Sequence, residues 1–201
     1  MKPAANKKTE RSQATRAAII RVACKAFAKD GFGDVSLSEI VAQAGVTTGA
    51  IYHHFGDKKG LFQAVAEDLE QQILDEVAKA PQRPADPWGS FVAGVNATLQ
   101  ICARPAIQRI IFQEAPTVIG PAEWRKIEIQ YAFGQMRQAV ENLAGAGLIR
   151  SENHELTTQI ILGIIIHAGQ GIAVSEDSNR ALEEALETVP RLLSALRVTA
   201  G

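Results

Sequence analysis

Cysteine is scarce in this chain, with only Cys24 and Cys102 among 201 residues. Two thiols cannot build a disulfide framework, and the N-terminus, MKPAANKKTERSQATR, is basic and polar with no apolar run of the kind export requires. Both features point to a reducing cytoplasm. Long apolar runs are missing as well. The most apolar stretch, Ile160 to Val174, is about five residues short of the roughly 20 that a spanning helix needs, and His167 and Gln170 interrupt it, so no membrane partner is expected. There is no period-two strand pattern, internal repeat or low-complexity tract. With 46% hydrophobic and 21% charged residues the chain can bury a core, which excludes disorder as its main state.

Net charge is also nearly absent, at −1, yet the charges are unevenly placed. Residues 1–60 hold ten Lys and Arg against five Asp and Glu, whereas residues 61–201 hold eleven against seventeen. A basic head on an acidic body suits a module that binds nucleic acid, although a solvated basic helix face would give the same imbalance.

What is present is helical periodicity. Ile19, Ala23 and Phe27 recur at every fourth position between Arg16, Arg21, Lys25 and Lys29, which predicts an amphipathic helix over 13–30 that Gly31 stops. Ser36 followed by Glu39 predicts a capping box opening a short helix to about Ala44, and a second short helix runs from Thr47 to about His54. Asp57 is the expected N-cap of a long helix in which Leu61, Val65, Leu69, Ile73 and Val77 recur, ended by Pro81 and Pro84. Further helices are expected at about 86–103, 105–113, 121–146, 154–175 and 178–198, separated by proline, glycine or polar runs. The fold class is all-α, with about nine helices.

The segment Ser36 to His54 carries the chemistry. A helix-turn-helix needs a bend, apolar residues locking two short helices, and short polar side chains at the open start of the second helix. Gly45 supplies the bend, Leu37, Ile40, Val41, Val46 and Ile51 the lock, and Thr47, Thr48 and Gly49 the open end. Thr47, Thr48, Ala50, Tyr52 and His53 would then face a major groove, where such side chains bond phosphates or read base edges. A helical hairpin inside a bundle is the alternative.

Residues 31–61, GFGDVSLSEIVAQAGVTTGAIYHHFGDKKGL, closely resemble the TetR family of bacterial transcriptional regulators. The shared pattern is a glycine-aromatic pair, a capped second helix, AGV, a short third helix ending in Tyr-x-His-Phe, and a lysine three residues later. The resemblance spans about 13–61, with Phe27 at the family's aromatic core position, and departs from it at Val35 and Val41. It implies DNA contacts by Thr47, Thr48, Gly49, Tyr52 and His53, nearby phosphates at Ser36 and Ser38, and a phosphate-binding role for Lys58. His54 and Phe55 are read as packing residues. The domain organisation that follows is a flexible basic arm (1–12, with Lys2, Lys7, Lys8 and Arg11), a helix-turn-helix DNA-binding domain (13–56), a connecting helix (57–80) and a helical ligand-binding and dimerisation domain (81–201).

In the body, Ile160, Ile161, Leu162, Ile164, Ile165 and Ile166 project almost all round one helix, so one subunit is not expected to cover them all. Leu182, Leu186, Val189, Leu193 and Leu196 add a near-heptad stripe. A homodimer through about 154–198 is expected, as the resemblance also implies. Phe91, Phe112, Trp124, Tyr131, Gln135 and His167 are the candidate ligand-binding residues of a pocket whose lining lacks a charge cluster, which favours a small apolar or aromatic effector.

Enzyme readings are poorly supported. Gly169 and Gly171 have G-x-G spacing, but Val174 stands where a dinucleotide loop needs a third small residue, and no βαβ alternation surrounds them. The four histidines lack metal-site spacing, and no P-loop or G-x-S-x-G occurs. No metal or cofactor is expected. The leading reading is a homodimeric repressor that binds double-stranded operator DNA and is released by a small molecule. The alternatives are a DNA-binding adaptor controlled by a protein partner and a helical enzyme or small-molecule-binding protein.

Overall fold

The computed structural model describes residues 4–81 and 83–198, and the side chains from Thr9 onward. Among the described residues nine α-helices and one π-helical segment follow in order: α1 (Ala4–Asp34), α2 (Leu37–Ala44), α3 (Thr48–Phe55), α4 (Lys58–Val77), α5 (Pro87–Cys102), the π segment (Ile107–Glu114), α6 (Ala115–Val118), α7 (Pro121–Gly145), α8 (His154–Val174) and α9 (Ser178–Ser194). No strand is present among the described residues; only Ile149 and Arg197 form an isolated bridge.

Helix α1 begins well before the expected residue 13, because Ala, Lys, Glu and Arg in this stretch are good helix formers and no breaker intervenes. The side chains of Lys2, Lys7 and Lys8, assigned to the basic arm, lie outside the described residues. At the other end Gly31, at φ 85° and ψ 167°, breaks the helix before one last turn. Only glycine takes that backbone without strain.

One apolar cluster joins α1–α4 to the π segment and the start of α7. Ile19, Phe27, Ile40, Ile51, Leu61, Phe62, Ile110 and Trp124 all belong to it. Phe62 meets Phe27 and Phe32 edge-on, with ring centroids 5.2 and 5.3 Å apart, so α4 is riveted to the end of α1. A second cluster holds α5, the end of α7, α8 and α9 around Leu99, Val140, Ile161, Ile165, Val189 and Leu193.

Two expectations about the body need correction. The segment 105–113, expected as an α-helix, is π-helical over Ile107–Glu114, since apolar spacing does not separate the two hydrogen-bond ladders over so few residues. Ile165 and Leu193, on the stripes assigned to the dimer, are buried within the subunit itself. The uncovered apolar residues of α8 and α9 are instead Leu156, Ile160, Val174 and Leu192, exposed by 52, 53, 77 and 56%. Leu156, Ile160 and Val174 fall on one side of α8, at i, i+4 and i+18. By length and composition α8 could cross a membrane, yet Ile161, Leu162, Ile165 and Ile172 are buried against the other helices of the body.

Candidate functional site

The head forms as the local signals dictate. Ser36 caps α2 by accepting from the Glu39 N–H at 3.2 Å, while Glu39 accepts from the Ser36 N–H at 3.0 Å. The Ser36 N–H first, then its hydroxyl, hold the Glu39 carboxyl below its usual range. Gly45 then closes α2 in the left-handed conformation, and its N–H donates to Val41. Thr47 caps α3 by accepting from Ala50 at 3.3 Å. Asp57 caps α4 by accepting from Gly60 at 2.6 Å.

This geometry brings the expected DNA-contacting residues to one edge. Ile51 is fully buried and seats α3, while Thr47, Thr48, Gly49, Tyr52 and His53 are exposed, Tyr52 by 54%. The N-terminal turn of α3, which begins at these residues, favours an anion. Ser38 is exposed, with its hydroxyl 2.9 Å from that of the half-buried Ser36. Phe55 packs against the core, and the Arg16 guanidinium lies 5.4 Å from its ring centre. Lys58 is half-buried. Its ammonium donates to the Gly33 carbonyl at 3.3 Å and sits 4.6 Å from the Phe32 ring centre, so it ties α4 to the last turn of α1 with donors to spare.

The body contains a cavity of about 300 Å³ between α4, α5, the π segment, α7 and α8. Phe91, Phe112 and Gln135 line it, as expected. The structure does not bring Trp124, Tyr131 or His167 to its wall. Trp124 is buried in the first cluster, where its indole bonds Glu128; Tyr131 packs against that cluster from outside; His167 is exposed, with Nδ1 at 2.7 Å from the Gly163 carbonyl. Aromatic character does not fix the rotation of α7, which turns Ala132, Met136 and Ala139 to the cavity beside Gln135 in place of Trp124 and Tyr131.

The lining also overturns the expectation that it lacks charge. Glu70 and Glu128 border the cavity, and Glu70 is only 7% exposed. Burial first, then the neighbouring Glu128, pushes Glu70 up to about 8. Burial also raises Glu128, while Arg125, the Trp124 indole and His167 pull the other way. Cys102, on the same wall, is pushed up to about 12 by burial and by Glu70, so its thiol stays neutral and unreactive. Sequence reasoning missed Glu70, although a signal existed: it continues the row Phe62, Ala66, Glu70 along the buried side of α4.

Two structural paths connect cavity and head. Helix α4 borders the cavity through Ile73, Leu74 and Val77 and carries Lys58 in its first turn. The π segment places Phe112 on the cavity wall, against Gly169, and two residues later Glu114 accepts from the Phe32 N–H at 2.9 Å. Arg109 donates to the Lys29 carbonyl at 2.8 Å, and a side chain at Gly31 would start 2.5 Å from its guanidinium. The break in α1 is therefore clasped by the body.

Comparison with known proteins accords with this layout. Residues 19–65 match the family model of bacterial regulatory proteins of the tetR family, and residues 88–196 match that of the tetracyclin repressor-like C-terminal domain. The HTH-type transcriptional regulator AcrR of Shigella flexneri is 42% identical over 119 residues, which is 57% of this chain and 55% of AcrR, so that match spans about half of the relative. The HTH-type transcriptional repressor BepR of Brucella suis is 25% identical over 87% of this chain and 91% of its own. A crystal structure of a TetR-family transcriptional regulator from Pectobacterium atrosepticum is 30% identical, covers 96% of this chain and 98% of that one, and superposes with a TM-score of 0.76.

Proposed function

Since the chain belongs to the TetR family of bacterial regulatory proteins, we propose that it is a cytoplasmic, homodimeric repressor that binds a palindromic operator and is released by a small, largely apolar molecule. The observation that carries this reading is the pairing of an exposed, capped α3 with a cavity bordered by α4, the helix whose first turn supports α3. Thr47, Thr48, Gly49, Tyr52 and His53 contact the groove in this reading, with Ser36, Ser38 and Lys58 at phosphates. Phe91, Phe112 and Gln135 contact the effector. Lys58 can bind a phosphate with the protons not donated to Gly33.

The second copy covers the exposed side of α8, where more than half of each of Leu156, Ile160 and Val174 is left uncovered by their own subunit. Release requires the effector to bind the DNA-competent and incompetent arrangements unequally, and a coupling of about 1 to 3 kcal/mol changes affinity roughly 5- to 150-fold. Both α4 and the Arg109–Glu114 clasp would carry that shift to the head.

Selection from random duplex DNA tests the reading. Recovery of palindromes with half-sites about one helical turn or a multiple apart, ~34 to 36 Å, supports it; recovery of asymmetric sites alone refutes it. Ile160→Glu should yield monomers that keep their helicity and lose the palindrome preference. A dimer surviving that change places the interface elsewhere. If no library compound shifts operator affinity while a protein from the same cell does, the adaptor reading replaces the effector reading.

A further inference from the structure

A buried acid with nothing to bond needs a reason. Glu70 sits in an apolar row of α4, and no hydrogen bond or ion pair among the described residues reaches its carboxyl. Replacing it by leucine would remove a desolvation cost and fill space, so stability does not explain it. Its carboxyl borders a cavity whose wall holds a second acid, Glu128, and no Lys, Arg or His among the described residues. Arg125 pairs with Glu128 at 3.8 Å, is half exposed, and lines a neighbouring cavity that Glu128 also borders.

We propose that the molecule this cavity takes is an organic cation, an apolar or aromatic body carrying one protonated amine or quaternary ammonium group held by Glu70 and Glu128. The inference rests on reading the cavity as an effector site and specifies its ligand. Glu70 has no counter-charge among the described residues and Glu128 has only the half-exposed Arg125 beside it, so the pair repels anions and rewards one positive charge. The rings of Phe91 and Phe112, on the same wall, offer the apolar and π surface that such cations also favour. A neutral phenol or alcohol would use one carboxyl and leave the second unexplained.

Proton balance follows from the groups around the two acids: Glu128 and Tyr131 from α7 and Cys102 from α5 face Glu70, none of them basic, while Arg125 from α7 and His167 from α8 act on Glu128 and favour its charged form. Without a ligand and at neutral pH, Glu70 keeps its proton, because burial and Glu128 disfavour a second negative charge. A cation arriving between the two carboxyls reverses that preference, and the proton leaves to solvent. The site exchanges the Glu70 proton for one organic cation. Binding therefore strengthens as the pH rises from about 6 to about 8.

Isothermal titration of the full-length protein at pH 7 with three probes of one shape tests this: naphthylmethyl-trimethylammonium, its uncharged neopentyl isostere, and naphthylacetate. The cation should bind at least about tenfold more tightly than the isostere, and naphthylacetate should not bind. Two buffers of different ionisation enthalpy should report release of about one proton for the cation and none for the isostere. Glu70→Gln should abolish the proton release and cost the cation about tenfold or more while leaving the isostere unchanged, which also shows that the variant is folded. Glu128→Gln should weaken the cation in the same direction. Equal binding of cation and isostere, indifference to Glu70→Gln, or no binding of any probe overturns the inference. Operator affinity separates the two levels: cation binding at Glu70 without any change in DNA affinity keeps this inference and removes the effector reading, whereas release of DNA by the isostere alone does the reverse.

Discussion

From Ser36 to Leu61 in the head, each turn is set by residues within about four positions of it; in the body, the decisive contacts join residues far apart in the chain. Ser36, Gly45, Thr47 and Asp57 each start or stop a helix through a bond to a near neighbour, so the chain from 36 to 61 announces its own shape. The body offers the same apolar residue types without such instructions. Ile160 and Ile161 are adjacent and chemically identical, yet one is exposed by 53% and the other by 1%. A short-range code makes an interface that any chain position can read locally, whereas a cavity and a dimer face depend on how several helices meet.

The largest test of this contrast asks whether the head is thermally independent. Phe27→Ala removes a fully buried ring that touches Phe32 and Phe62, and should cost about 3–5 kcal/mol. Because the Phe27 cluster runs on into the π segment and α7, calorimetry should show one transition shifted as a whole. A separate early transition of the head, with the body's melting unchanged, would make the two regions independent and break the reading of the Arg109–Glu114 clasp.

That contrast also decides what could be read in advance. Helix order, the capped α2 and α3, and the exposure of Thr48, Tyr52 and His53 follow from local spacing and caps. Trp124, Tyr131 and His167 were misplaced because aromatic or polar character does not say which way a helix is rotated in a bundle. Ile165 and Leu193 were misassigned for the same reason: an all-round apolar helix must be covered twice, but only packing tells which side the subunit itself covers. Glu70 shows the opposite failure. Its position in the apolar row was legible, but its meaning depended on a cavity that only tertiary contacts create.

Next in size is Glu70→Gln in the absence of ligand. Glu70 has an ordinary value of 4.5 and is pushed up to about 8 when folded, so the folded chain holds a proton that the unfolded chain has lost. Stability present below about 4.5 is therefore lost progressively as the pH rises to about 8. Glutamine carries no such penalty, so the variant should gain on the order of a few kcal/mol at pH 8 and show a flatter stability profile between about 5 and 8. Denaturant titrations across that range check it. A wild-type profile already flat there would mean that Glu70 finds a partner or water that relieves it.

A smaller effect belongs to the local code itself. Ser36→Ala removes the acceptor for the Glu39 N–H and should cost about 1 kcal/mol, against a few tenths for Ser36→Gly. Denaturation midpoints check the two variants. If Ser36→Ala weakened DNA binding far beyond this cost while α2 stayed intact, the serine would be a phosphate contact as well as a cap.

Lys58→Ala gives the smallest stability change and the sharpest functional reading, since it separates packing from phosphate contact. In the free protein the ammonium serves Gly33 and Phe32, a half-exposed arrangement worth about 0.5–1 kcal/mol at most. On DNA, losing one phosphate contact should weaken all duplexes alike and reduce the salt slope of binding by about one unit, with preference between sequences unchanged. Thr48, Tyr52 or His53 variants should instead alter that preference. Suppose Lys58→Ala lowers stability but leaves the salt slope intact. Lys58 would then be a strut between α1 and α4, and the phosphate contacts of the head would have to come from the free N–H groups of α3 and the basic residues of α1. If the slope falls while stability holds, the half-buried lysine is held in place for the DNA, and the bond to Gly33 serves to aim it.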